Sequence, residues 1–313
     1  RVLRNALRTL GFDEAISFSF IDAAHDERFE LIPGLVGAQN NGERFVTLTN
    51  AIVEGATRMR PTLLAGLLNA VQHNFHHGTR DVQLFEIGRL FAASEERGAL
   101  PLEREALAFA ISGGAIEEGR AGASRELDFY DLKGALEAAV DAMRLPRLRF
   151  AAAQEVKHLR AGQAASISTE DGQDIGFIGR LSEKIASDYK FRQPIYVAEI
   201  DLSRLLETEE TPVLYHPLSR YPGIDRDISL LIDRRVNYAE LEGSIRSQQL
   251  EHLREVEPVD VYEGANMPEG KRSLTLRIEY RADERTLRDE EVDEMHARIV
   301  AALEQKFGAQ LRK

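Results

Sequence analysis

The chain has 313 residues, 43% of them hydrophobic and 29% charged, which is an ordinary globular composition with room for two domains. A formal net charge of −12 argues against gripping nucleic acid by bulk electrostatics, so any such contact must be local. The absence of cysteine excludes disulfides, cysteine-ligated zinc and thiol catalysis. The sequence contains no apolar run of membrane-spanning length and no signal-peptide pattern, so we expect a cytoplasmic protein.

The first elements alternate between helical and strand periodicity. Residues 1–10 space their apolar side chains like an amphipathic helix, and residues 14–21 alternate apolar and polar side chains like a strand. Residues 44–50 predict a second strand. Residues 60–78 predict a helix, with a proline near its start and a glycine beyond its end.

The middle of the chain contains more strands than crossover helices. Residues 128–145 predict a helix that begins near Asp131 or Leu132, and Ser182 is a suitable N-cap for another helix. Strand patterns and a hairpin turn surround these helices, at 80–92, 105–114, Asp171-Gly172 and 195–202. The fold class predicted for residues 1–210 is therefore α+β with a mainly antiparallel sheet.

A linker is predicted at 211–218, where periodicity stops, and a second domain at 219–313. The second domain has the order β-α-β-β-α-β, which is typical of a ferredoxin-like fold. Asn237 and Glu240 have the spacing of a capping box. The elements are predicted at 226–233, 237–250, 256–262, 273–280, 289–306 and a short strand near 309–312.

Ordered sequence motifs carry a family resemblance across nearly the whole chain. The second domain resembles the ferredoxin-fold anticodon-binding domain of bacterial phenylalanyl-tRNA synthetase β subunits, through YPGIDRDISLLID (221–233), VDVYEG (259–264), GKRSLTLRIEY (270–280), RTLRDEEV (285–292) and LEQKFGAQLR (303–312). The first resembles that subunit's class II synthetase-like core, through LRNALRTLGFDEAISFSFID (3–22), RMRPTLLAGLLNAVQHN (58–74), RDVQLFEIGRLF (80–91), DFYDLKGALEAAV (128–140) and GFIGRLSEKI (176–185).

The resemblance implies a fragment of a longer β subunit, because the family's additional N-terminal modules have no counterpart here. Class II aminoacylation needs arginines that clamp ATP, yet Arg97 lies beside two glutamates and Arg180 lacks the Gly-x-Gly-x-x-Arg layout. We therefore expect a catalytically silent core with no catalytic residue and no bound cofactor. The resemblance places ATP and Mg²⁺ on a catalytic α subunit, in a heterotetramer of two α and two β chains.

The resemblance also implies tRNA(Phe) as a partner, and the family reads the first anticodon base of this tRNA, a guanine, at three positions. By motif these fall on Ser229, Asp260 and Ser273. A carboxylate suits this role because it accepts both N–H donors on the exposed edge of guanine. Asp260 could instead cap a strand end or pair with Lys271, and the serines could simply be small packing residues.

Further nucleic-acid contacts are expected beside these three positions. Tyr262 could stack on a base or pack on the sheet. Lys271, Arg272 and Arg277 are candidate phosphate contacts, although solvated charges are the alternative.

Two pairs of neighbouring residues near the start of the first strand of this domain are expected to have a structural role. There Tyr221 and Pro222 would wedge the linker against the sheet, while Arg226 would pair with Asp227 or a neighbouring acid.

His73, His76 and His77 have helical spacing, but no carboxylate completes a metal set, so no metal site is predicted. Two other functions remain open from the sequence. One is an enzyme that activates an amino acid by itself, against which the missing arginine motifs speak. The other is a free-standing RNA-binding or interaction protein built from the same domains.

Overall fold

A computed structural model describes residues 1–25, 28–35, 44–94, 99–115, 125–215, 217–264 and 267–312. Its contacts divide the chain into two compact units, Arg1–Val213 and Leu214–Lys313. Within the ranges given, no helix combines the length and apolar character needed to cross a membrane.

The first unit contains five helices and nine strands in its described part. The helices are α1 (Val2–Thr9), α2 (Leu64–His76), α3 (Phe129–Ala142), α4 (Glu183–Asp188) and α5 (Leu202–Leu205). The strands are β1 (Asp13–Glu14), β2 (Phe20–Ile21), β3 (Arg58–Met59), β4 (Val82–Ala92), β5 (Leu102–Ser112), β6 (Arg149–Ala152), β7 (Leu159–Ser168), β8 (Asp174–Leu181) and β9 (Tyr196–Asp201). A 3₁₀ turn spans Ala23–His25.

Seven of these strands form one sheet in the order β1-β4-β5-β9-β8-β7-β6. All neighbours pair antiparallel except β1 and β4, which are parallel. The α+β class with an antiparallel-dominated sheet is confirmed. The hairpin predicted at Asp171-Gly172 connects β7 and β8, and Gly172 has a φ of +87°, which favours glycine.

Both faces of this sheet are covered by apolar side chains. On β5 the alternation places Ala106, Ala108 and Ala110 under α2, while larger side chains of the same strand pack under α3 on the other face. The small alanines let α2 lie close to the sheet. Each buried leucine contributes roughly 1.5–3 kcal/mol to stability.

The N-terminal strand predictions are wrong. Residues 14–21 do not form one strand, because β1 ends at Glu14 and joins the large sheet, whereas β2 pairs with β3 in a separate two-stranded sheet. Residues 44–50 form no strand and make only an isolated bridge between Thr47 and Arg58. Between β1 and β2, Ala15 and Ser19 make backbone hydrogen bonds to Phe85 and Arg60, whereas Ser17 is held by the side chains of Glu86 and Arg60.

Helix boundaries depend on capping. The α3 helix begins at Phe129, two residues before the earlier of the two predicted starts, because the Asp128 carboxylate accepts hydrogen bonds from the N–H groups of Tyr130 and Asp131. The predicted N-cap Ser182 does accept from Ile185 N at the start of α4. The α2 helix buries its whole apolar face inside its own unit, at Leu64, Ala65, Leu67, Leu68 and Val71.

The second unit has the order β10-α6-β11-β12-α7-β13, and its β-α-β-β-α-β prediction is confirmed. The bounds are β10 (Ile224–Asp233), α6 (Tyr238–Arg246), β11 (Leu253–Tyr262), β12 (Lys271–Tyr280), α7 (Asp289–Phe307) and β13 (Gln310–Leu311). The sheet order is β11-β12-β10-β13, and all pairs are antiparallel. The predicted capping box of Asn237 and Glu240 starts α6, and Gly308 ends α7 in a left-handed conformation.

One face of this second sheet packs on α6 and α7. Its apolar residues alternate along the strands, for example Leu274, Leu276, Ile278 and Tyr280 on β12, which are all buried. The opposite face of the sheet carries the intervening polar side chains. It is the open face on which the predicted anticodon-reading positions lie.

Candidate nucleic-acid interface

Strand register brings three of the open-face residues into one row. Thr275 lies between Asp260 of β11 and Ser229 of β10. The hydroxyl groups of Ser229 and Thr275 are 2.8 Å apart and hydrogen-bonded, whereas Asp260 is exposed. The row therefore offers one exposed carboxylate beside two coupled hydroxyls.

A β-bulge in β11 decides the direction of Asp260. Glu257 lies opposite Arg277 on the open face, and side chains alternate along a regular strand, so Asp260 three residues later would face the helices. The register shifts between Pro258 and Asp260, which makes Val259 an extra residue. This irregularity returns Asp260 to the open face.

The next row contains Tyr262, Ser273 and Leu231. Ser273 is only 4% exposed, so its hydroxyl reaches a base only if neighbouring side chains move aside. Tyr262 is 40% exposed, and the guanidinium carbon of Arg312 lies 5.5 Å from the centre of its ring. This is a cation–π arrangement, with the aromatic ring and the guanidinium on one face.

Two residues of this face were not among the sequence predictions. Arg312 N donates to Ser229 O at 2.9 Å, which extends the pairing of β13 along β10 and places Arg312 beside the Ser229 row. Thr275 is at the centre of that row. The alternation along β12 could have identified Thr275, but Arg312 depends on how the last strand docks.

The predicted phosphate contacts are dispersed. Lys271 is on the open face opposite Asp233 and is the first residue of β12. Arg272 is on the helix face, where its Nη2 donates to Val236 O at 2.7 Å, so its guanidinium is directed away from the open face. Neighbouring residues of a strand point to opposite faces, which separates these two cations.

Arg277 is on the open face, but Asp227 already neutralises it. Two hydrogen bonds of 2.8 Å join the Arg277 guanidinium to the Asp227 carboxylate, and they lower the pKa of Asp227. A shallow groove of about 230 Å³ beside the pair is lined by Asp225, Glu255, Glu257 and Glu279, and by Arg281, which pairs with Glu279. This end of the sheet is unfavourable for phosphate.

The strand-entrance residues have structural partners as well. Arg226 points to the helix face and pairs with Asp289 and Asp293 of α7, at 2.8 and 3.3 Å, and not with Asp227. Tyr221 O accepts a hydrogen bond from the Ser219 hydroxyl at 3.1 Å.

The histidines at the end of α2 show helix-end packing. The rings of His73 and His77 lie 4.2 Å apart, and His77 Nδ1 is 2.8 Å from the His73 carbonyl oxygen. In the part of the chain that the structure describes, His, Cys, Asp and Glu side chains nowhere gather in a group of three that could hold a metal ion.

The first unit buries two carboxylates under α2. Glu199 accepts hydrogen bonds from Leu63 N at 2.6 Å and the Thr62 hydroxyl at 2.8 Å, and burial raises its pKa to about 7. Glu86 forms a buried ion pair with Arg60 at 2.7 Å. Both carboxylates are thus engaged by the protein itself.

Of the two arginines considered for an ATP clamp, Arg97 lies outside the described residues. Arg180 is on β8 and contributes to a surface groove with Glu183 and Lys190.

Family comparisons match both units. The family described as "Phenylalanyl tRNA synthetase beta chain CLM domain" matches residues 1–202, and "Ferredoxin-fold anticodon binding domain" matches residues 219–312. Phenylalanine–tRNA ligase beta subunits of Syntrophotalea carbinolica and Geobacter sulfurreducens are 29% and 30% identical over 310 and 312 residues. These alignments cover 99% and 100% of this chain, which spans only 38% of the length of either relative. A solved pyrrolysyl tRNA synthetase of Desulfitobacterium hafniense is similar with a TM-score of 0.47 at 17% identity, over 66% of this chain and 65% of that chain.

Proposed function

This chain belongs to the phenylalanyl-tRNA synthetase beta chain family, and from that premise we propose that it reads the tRNA(Phe) anticodon and scaffolds a catalytic α subunit. It does so during ATP-dependent phenylalanylation in the cytoplasm. The observation that carries the anticodon role is the exposed Asp260 carboxylate on the open face, in one row with Thr275 and Ser229.

The open face has the chemistry to hold a guanine. The Asp260 carboxylate would accept the two adjacent N–H donors of the base, and the coupled hydroxyls beside it could reach other polar atoms of the nucleotide. Tyr262 and Arg312 provide planar groups on which a base can stack. Recognition would therefore be local, as the net charge of −12 requires.

Phosphate contacts are best supported at the end of the face that carries Arg312 and Lys271. Arg277 is less suitable because Asp227 accepts two hydrogen bonds from it, and the groove beside the pair is lined by four carboxylates against one further arginine, Arg281. A nucleotide placed over the Asp260 row would thus direct its phosphates away from the Arg277 end.

We further propose that the first unit has no aminoacylation chemistry of its own. Its seven-stranded sheet is packed on both faces, and the buried Glu86 and Glu199 are paired within the protein. A sheet whose two faces are both covered by packed side chains leaves little room for ATP. ATP and Mg²⁺ would bind the catalytic subunit, with two subunits of each kind in the assembly.

Pyrophosphate exchange tests this division of labour. Phenylalanine-dependent ATP–pyrophosphate exchange is measured for the purified chain alone, for the catalytic subunit alone and for the mixture of the two. Exchange by the mixture but not by this chain supports the scaffold role. Exchange by this chain alone would contradict it.

A further inference from the structure

The loop between α4 and β9 presents positive charge in an acidic chain. Along it, Tyr189 and Phe191 are buried, whereas Lys190 and Arg192 are exposed. The two buried rings are stacked with 5.4 Å between their centres, and the ring of Phe191 also makes an edge contact with that of Phe75 of α2 at 5.5 Å. The aromatic anchors therefore hold the two cations on the solvent side of the loop.

Polar contacts hold the rest of this loop in place. The Gln193 side-chain amide donates to the Ser112 hydroxyl at 2.8 Å and to Arg80 O at 2.7 Å. The Ser112 hydroxyl donates in turn to Pro194 O at 2.7 Å. Lys190 has a φ of +59°, a left-handed conformation in which glycine is the usual residue after a helix. A lysine thus occupies a backbone position that favours glycine, and such exceptions are common at functional sites.

The two exposed cations line a surface groove of about 480 Å³ together with Arg180 of β8. We refer to the groove lined by Arg180, Lys190 and Arg192 as the cationic groove. Among its described lining residues the one carboxylate is Glu183, which pairs with Arg160 at 3.1 Å. The side chains of the three cations make no hydrogen bond or ion pair with any residue that the structure describes. The groove therefore has an excess of positive charge.

Carboxylates close to the groove in the sequence have other partners. Asp188 of α4 pairs with Arg28 at 3.6 Å, and Asp81 accepts a hydrogen bond from Gly114 N at 2.8 Å. The chain has 52 aspartates and glutamates and a net charge of −12, so acidic side chains to neutralise three clustered cations are plentiful. Because these cations face one groove without such partners, the groove is suited to a ligand that carries several negative charges.

We propose that the cationic groove binds the sugar–phosphate backbone of tRNA(Phe), an inference that rests on the proposed function. Lysine and arginine side chains bind phosphates without reading the base, so this contact would add affinity and not discrimination. The aromatic residue in the groove lining, Phe191, is buried and provides no ring on which a base could stack. A base-paired segment, which presents its phosphates outward, therefore suits the groove better than unpaired bases.

The test measures tRNA(Phe) binding by the enzyme assembled with the catalytic subunit, by filter binding from about 50 to 200 mM salt. Lys190→Gln/Arg192→Gln should weaken binding at least about fivefold at the lowest salt concentration. Each lost phosphate contact lowers the slope of log Kd against log salt concentration by roughly 0.7 to 0.9, so the slope should fall by about 1.4 to 1.8.

Two further variants serve as controls. Arg149→Gln/Lys157→Gln removes the same two charges at exposed positions of the first unit outside the groove, and it should leave affinity and slope unchanged. Lys190→Arg/Arg192→Lys keeps the charges of the groove and should bind tRNA(Phe) like the wild type. Circular dichroism of each variant verifies the fold, which substitutions at exposed positions should preserve.

The outcomes separate this proposal from the proposed function. If the wild-type enzyme fails to bind tRNA(Phe), the proposed function is wrong, and the groove proposal falls with it. If the wild type binds and Lys190→Gln/Arg192→Gln has the same affinity and salt slope, only the groove proposal is wrong. If this variant instead loses affinity for the catalytic subunit, the groove holds an acidic protein surface and the proposal is overturned. The preference for guanine at the first anticodon position should persist in the variant, and its loss would contradict a backbone contact.

Discussion

Asp260 and Thr275 lie directly opposite each other on β11 and β12, and the extra residue Val259 gives Asp260 this orientation. The Asp260 carboxylate is exposed, and the hydroxyl of Thr275 is hydrogen-bonded to that of Ser229. The row therefore combines an exposed hydrogen-bond acceptor with two hydroxyls that hold each other in place. A β-bulge next to a functional side chain is a common way to aim that side chain.

Tyr262→Ala should weaken tRNA(Phe) binding by the assembled enzyme, because it removes a ring on which a base can stack. Loss of one stacked base costs roughly 1–3 kcal/mol, which is about 5- to 150-fold in the dissociation constant. Val261→Ala is the control, because Val261 is adjacent and 51% exposed but lies on the other face of β11. Equal affinities of the two variants, measured by filter binding, would exclude Tyr262 from the interface.

Arg60→Ala should destabilise the first unit strongly. It leaves the Glu86 carboxylate buried without its cation, and breaking a buried pair in this way costs roughly 3–5 kcal/mol. Arg89→Ala breaks the exposed pair with Glu103 and should cost less than about 1 kcal/mol. Guanidinium unfolding followed by circular dichroism compares the two, since the chain has no tryptophan. Similar losses of unfolding free energy in the two variants would show that the buried pair contributes no more to stability than the exposed pair.

Glu199 should make the first unit less stable as the pH rises. Burial raises its pKa from 4.5 to about 7, so the folded state binds the extra proton between these values. The stability it contributes is complete below pH 4.5 and is lost as the pH rises through 7, by at most roughly 1.4 kcal/mol per pH unit.

Comparing the wild type with Glu199→Gln from pH 5 to 8 isolates this carboxyl group. His158 acts in the opposite direction, because burial lowers its pKa to about 3, but it is present in both proteins. The wild type should lose more stability than the variant across this range, whereas the exposed substitution Glu183→Gln should leave the wild-type profile unchanged. Parallel profiles for the wild type and Glu199→Gln would contradict the assignment.

Periodicity predicted the second unit well. The alternation along β12 separates Leu274, Leu276 and Ile278 from the polar residues between them, and the structure follows it. The same rule separates Lys271 from Arg272, two of the three candidate phosphate contacts, because neighbouring residues of a strand point to opposite faces. Arg312 could not be found in this way, because its position depends on the docking of β13 against β10.

The segment at residues 14–21 shows that apolar–polar alternation does not determine which side of a strand pattern is buried. Residues 14–21 have two distinguishable sides, but the pattern does not state which side faces solvent. Here the polar Ser17 faces inward because Glu86, 69 residues later in the chain, binds it. Such a long-range polar contact leaves no local signal, so the strand prediction failed at this segment.

The most direct test of the anticodon-reading role is the discrimination for guanine by Asp260→Asn in the enzyme assembled with the catalytic subunit. The kcat/KM of phenylalanylation is measured for tRNA(Phe) with guanine or adenine at the first anticodon position, with Glu257→Gln as the control. An amide cannot accept both guanine donors, so the preference should fall at least about tenfold in Asp260→Asn and persist in Glu257→Gln. An undiminished preference in Asp260→Asn would contradict the account.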